Sequence, residues 1–114
     1  MIRFSITGLG ELAFFLNKGA IGEWEAYFGL TWIQIISKGM TYKHWHVLAH
    51  KCYLMGCLKD SVKSEYSLDQ FQLFLDGQEF IDLGNLLDAE MNIVLELDKL
   101  TKQLNETANT PKKK

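Results

Sequence analysis

Proline is nearly missing from this chain: Pro111 is the single one among 114 residues. Residues 1–110 therefore hold no obligatory helix breaker, and an all-helical fold is permitted. Cysteine is scarce too. Cys52 and Cys57 fall in one predicted helix, five positions apart, so they point to different faces and cannot readily bridge. Two reduced, buried thiols in a cytoplasmic protein are expected. No run of about 18 uncharged apolar residues exists, so no transmembrane helix is expected. The opening Met1–Gly8 segment lacks the apolar core of a signal peptide. An excess of one charge is also missing. The net charge is −2 and the pI is about 5.9, whereas a nucleic-acid module normally carries a basic face. The one like-charge run, Lys112 to Lys114, is shorter than the clusters that recruit proteins to membranes. Nucleic acid and membrane are thus not expected partners.

Apolar material is plentiful. Hydrophobic residues make up 47% and aromatic residues 12%, enough for one core in a chain too short for two. The expected fold is all-α, a small single-domain bundle of four to six helices over residues 1–104. It leaves room for a short extended N-terminal segment, and residues 105–114 form a disordered basic tail.

The pattern along the chain supports that reading. Ile2, Phe4 and Ile6 alternate with polar residues, which suits a strand or extended arm. From about residue 8, Leu9, Leu12, Phe15 and Leu16 share a helical face, with Asn17-Lys18-Gly19 as a glycine stop. Residues 23–28 read as a short helix broken at Gly29. Thr31 caps a second one through Trp32, Ile33, Ile35 and Ile36, although that β-branched run would also suit a strand. The clearest helix of the first half spans 41–59, capped by Thr41 and apolar nearly all round, as befits a central hub. Ser67 and Gln70 form a capping box for a short helix that ends at Asp76-Gly77.

Asp82 is the expected cap of the last helix. There Leu83, Leu86, Glu90, Ile93, Leu97, Leu100 and Leu104 are separated by alternating steps of three and four, the spacing of a helix packed lengthwise on another. Leu87, Met91 and Val94 widen the stripe in the first half only. That half is therefore assigned to the core. Leu97, Leu100 and Leu104 form a narrow seam assigned to a protein partner.

Reactive constellations are hard to assemble. His46 and His50 share a helix face, but a zinc site needs three or four ligands, and no glutamate follows His46 as a helical metalloprotease motif requires. The cysteines lie mid-to-late in an apolar helix, away from the cations or helix N-terminus that activate a thiol. Gly8-Leu9-Gly10 lacks the third glycine of a dinucleotide fingerprint. No catalytic, metal or cofactor site is expected. Trp45 is assigned to the core, while Trp24 and Trp32 suit either the core or an interface and join the candidate protein-binding set.

One order of motifs resembles a known family. A glycine-punctuated N-terminal third leads into the Thr41–Leu58 helix, rich in leucine, alanine, tyrosine and glycine. Ser67-Leu68-Asp69-Gln70-Phe71 then runs on to Leu75-Asp76, and an amphipathic helix follows from Leu83. Over about residues 29–100 this resembles the tail assembly chaperones of long-tailed bacteriophages and prophages. The resemblance implies a helical, non-enzymatic protein of the host cytoplasm that binds the tape measure protein and recruits tail tube subunits. Many members also exist in a longer form made by ribosomal frameshifting; an adenine run encoding Lys112, Lys113 and Lys114 would suit that, and a solubilising tail is the alternative. Two other functions compete. One is a self-associating structural or virion protein. The other is a helical DNA-binding module, disfavoured because Lys38, Lys43 and Lys51 are the only cations between Thr31 and Leu58.

Overall fold

A computed structural model describes residues 1–109 of the chain. Strands β1 (Ile2–Ile6) and β2 (Gly10–Phe14) come first, followed by helices α1 (Lys18–Phe28), α2 (Trp32–Lys38), α3 (Tyr42–Lys59), α4 (Leu68–Phe74) and α5 (Gly77–Asn109). The protein is mostly helical but not all-α, because β1 and β2 pair as an antiparallel hairpin with Ile2 opposite Phe14 and Phe4 opposite Leu12.

The hairpin corrects the helix expected from about residue 8. Gly8 and Gly10 take φ of 93° and 87°, values that a right-handed helix excludes and glycine tolerates. The Leu9 amide donates to the Ile6 carbonyl at 2.9 Å and closes the turn. Gly8 also has no space for a side chain, since a Cβ there would lie 2.5 Å from the Phe74 ring. The spacing of Leu9, Leu12 and Leu16 mimics a helix, yet Leu9, Phe14 and Leu16 reach the core from a turn, a strand and a connection.

Asn17-Lys18-Gly19 starts a helix instead of ending one. The Asn17 side chain accepts from the Ala20 amide at 2.8 Å as the N-cap of α1, and Gly29 closes that helix in the left-handed region. Thr31, Thr41 and Ser67 each form a complete capping box, with Gln34, His44 and Gln70 respectively. These three boundaries follow the sequence reading because a capping box is a contact across three residues and needs no tertiary partner.

Helix α3 is the hub, in contact with β2, α1, α4 and α5. It buries Val47, Leu48, Ala49, Cys52, Tyr53, Gly56 and Cys57. Gly56 lets β2 lie directly against the helix, because a Cβ at that position would collide with the Ala13 carbonyl. The polar side chains of α3 fasten irregular chain. Tyr53 accepts from the Glu65 amide at 2.8 Å, and His50 Nε2 lies 3.0 Å from the Tyr66 carbonyl. His46 Nε2 reaches the Leu75 carbonyl at 2.9 Å.

The last helix begins earlier than expected. Asp82 is not a cap: it lies inside α5, where its carboxylate accepts from Gln78 Nε2 at 2.8 Å. Gly77, with φ of 59°, turns the chain between α4 and α5. Glu79 in the first turn accepts from the Thr7 amide at 3.0 Å and the Thr7 hydroxyl at 2.9 Å, which ties α5 to the hairpin turn. At its far end α5 continues to Asn109, past the expected boundary at residue 104. The remainder of the expected basic tail, residues 110–114, lies outside the described residues.

Candidate protein-docking surface

The faces of α5 decide what the helix can do. Successive residues rotate by about 100° around the axis. Leu83, Leu87 and Met91 point one way and are buried, with Phe80 and Val94 packed against the same cluster. Leu86, Ile93, Leu97, Leu100 and Leu104 point in a direction rotated by about 110° from that core face. All five are exposed. The helix therefore carries two apolar stripes, and its own subunit covers one.

This divides the expected seam differently from the sequence reading. Leu97, Leu100 and Leu104 are 59%, 52% and 69% exposed, in line with a surface role. Leu86 and Ile93 belong with them, although the first half of the row was assigned to the core. Their i, i+7 relation to Leu100 was visible in the sequence; what hid the split was the run of extra apolar positions that made the stripe look uniformly wide. From Glu96 to Leu104 every side chain described is exposed, so this part of α5 extends past the packed body. The molecule measures 63 × 33 × 23 Å accordingly.

A groove adjoins the helix. Trp32, Ile33 and Ile36 of α2 face Asn92, Leu95, Glu96 and Lys99 of α5 across a space of about 470 Å³. Trp32 is half-buried, and its amide donates to Glu25 Oε2 at 2.7 Å. It is the one candidate tryptophan that lines an open surface. Ile33 and Ile36, absent from the candidate set, are exposed there; their i, i+3 spacing on α2 was the available signal.

Trp24 must be withdrawn from the binding set. It is 0% exposed, and its indole Nε1 donates to the His44 carbonyl at 3.0 Å. A full α1 from Lys18, rather than a fragment from Glu23, places Ala20, Ile21 and Trp24 together on the buried face. Trp45, assigned to the core, is partly buried and packs against it from the edge, lining a shallow surface with Phe80, Ile81 and Asp88.

Among the described residues no group of three or more His, Cys, Asp or Glu converges. Both His46 nitrogens lie against carbonyls, Tyr42 for Nδ1 and Leu75 for Nε2, each at 2.9 Å. Burial lowers the pKa of His50 below 6.5, and the nearby Lys51 ammonium lowers it further, against the Tyr66 carbonyl that favours the charged ring. Burial likewise drives the Cys52 thiol upward, away from the thiolate that nucleophilic chemistry needs. Among the described residues no helix is long and apolar enough to cross a membrane. No protein-family model matches the chain, and no curated protein or solved structure does.

Proposed function

We propose that this chain is a non-enzymatic, protein-binding assembly factor, of the kind represented by the tail assembly chaperones of long-tailed bacteriophages. The observation that carries the reading is the second apolar stripe of α5, at Leu86, Ile93, Leu100 and Leu104, exposed on a helix that has already met its own core through Leu83, Leu87 and Met91. Exposed apolar rows of this length mark interaction sites, since scattered surface leucines do not line up on one helix face at steps of seven and four. The groove formed by Trp32, Ile33 and Ile36 lies on another face of the same helix and offers a second, separate surface. The family-level part rests on the resemblance of residues 29–100. On that reading the partners are a tape measure protein and tail tube subunits, met in the host cytoplasm.

The test is whether genes for a tape measure protein and a tail tube protein adjoin the gene of this chain, followed by co-expression with those proteins. The Leu100→Gln, Leu104→Gln double variant should lose co-purification and keep its far-ultraviolet circular dichroism. Loss of helical signal in that variant would make the row part of the fold. Unchanged co-purification of both variant and parent, or none with the parent, would remove the seam or the chaperone assignment.

A further inference from the structure

We infer that the face between the start of α3 and the first half of α5 holds a basic segment of a partner protein. Arginine or lysine side chains of that segment lie over Tyr42, Trp45 and Phe80, between the carboxylates of Asp76 and Asp88. The surface is separate from the exposed leucine row, since Ile81 and Leu86 stand about 140° apart around α5.

Shape is the first argument. Tyr42, His46, Asp76, Phe80 and Ile81 line a hollow of about 300 Å³. Trp45, Phe80, Ile81 and Asp88 line a second of about 300 Å³. Phe80 and Ile81 belong to both, so the two hollows form one trough. Gly84 keeps it open, because a Cβ there would meet nothing within 4 Å. The Tyr42 and Phe80 rings meet edge to face with centroids 5.6 Å apart, and the His46 ring lies 4.8 Å from Phe80. Tyr42 and Ile81 are exposed while Trp45 and Phe80 are half-buried, so aromatic and aliphatic surface is left without a cover.

Charge names the occupant. Asp76 lines one hollow and Asp88 the other, and among the described residues neither carboxylate has an ion-pair or hydrogen-bond partner. No lysine or arginine lines the trough. His46 holds both ring nitrogens against carbonyls, those of Tyr42 and Leu75. Aromatic rings flanked by free carboxylates suit a cation, which the ring quadrupole and the acid attract together. A guanidinium suits best, since its plane stacks on a ring while its fork meets a carboxylate. Length excludes a small ligand. The two acids stand about 18 Å apart along the α5 axis at 1.5 Å per residue, a span that an extended peptide covers with about five or six residues. Apolar side chains between its cations would meet Phe80 and Ile81.

The test titrates the isotope-labelled full chain with a synthetic peptide that carries two arginines about five residues apart and leucines between them. Its twin has citrulline, a neutral isostere, at both arginine positions. With the arginine peptide the Trp45 indole N–H and the Gly84 amide resonances should shift, and with the twin they should not. Asp76→Asn with Asp88→Asn should weaken binding about five- to tenfold at low salt. Tyr42→Ala should weaken it about threefold. Glu23→Gln with Asp82→Asn removes the same charge away from the trough and should leave affinity within about twofold. Circular dichroism checks that each variant is folded. The inference is overturned by an absence of binding at about 1 mM peptide, by equal binding of the citrulline twin, or by shifts centred away from the trough. Equal losses in the two charge-removing variants would overturn it too, because attraction would then come from net charge alone. The Leu100→Gln, Leu104→Gln variant should bind the peptide like the parent, so a failure here leaves the proposed function standing.

Discussion

Leu86 and Leu87 are neighbours in α5 with opposite fates: Leu87 is 1% exposed, packed in the core, and Leu86 is 44% exposed on the second stripe. A single step of about 100° moves the side chain from the subunit's interior to its surface.

That contrast sets the first prediction. Leu87→Ala should cost about 2–5 kcal/mol, through lost burial plus the cavity left behind. Leu86→Ala should stay within about 1 kcal/mol, as an exposed substitution on a helix with good propensity. Urea unfolding at a concentration where the chain is monomeric measures both. Equal losses would mean that Leu86 is held inside the fold.

Two helical glycines should respond in opposite directions to the same change. Gly56→Ala drives a Cβ into the Ala13 carbonyl, and β2 must shift away from α3, so a loss of about 1–3 kcal/mol is expected. At Gly84 an added Cβ meets nothing within 4 Å, and Gly84→Ala should stabilise α5 by up to about 1 kcal/mol. Thermal or urea denaturation decides. A neutral Gly56→Ala would show that strand and helix are not in direct contact.

Acid should weaken the fold through His50. Its folded pKa lies below 6.5, first because of burial. As pH falls through about 6.5 the unfolded chain takes up a proton that the folded ring resists, so the unfolded state binds more protons. The contribution is complete above about 6.5 and is lost as pH falls toward the lower folded value. His50→Gln keeps an amide able to donate to the Tyr66 carbonyl and removes the titration. The urea midpoint of the parent should therefore drop more than that of the variant between pH 7.5 and 5.5. Parallel profiles would contradict the assignment.

The seam illustrates how far sequence alone could go. The three and four spacing of Leu97, Leu100 and Leu104 announced an apolar row, and all three are exposed. The same pattern could not say that Leu86 and Ile93 share their fate, because Leu87, Met91 and Val94 fill the adjoining positions. Which of two neighbouring stripes is covered depends on where α3 and the hairpin lie, and those are distant in sequence. Trp24 was ambiguous for a related reason: an indole suits a core or an interface equally well, and its hydrogen bond to the His44 carbonyl exists only once α1 and α3 are packed.

By itself the sequence determined what depends on a few adjacent residues: the caps at Thr31, Thr41 and Ser67, the long amphipathic C-terminal helix and the apolar hub at 41–59. Tertiary structure decided the rest. Residues 10–14 became a strand because two glycines with positive φ turn the chain back onto β1, and because Gly56 opens a place for that strand against α3. The burial of Trp24 and the division of α5 into a covered and an uncovered stripe were decided in the same way. The physical reason is range: a capping bond spans three residues, whereas burial is a property of what arrives from elsewhere in the chain.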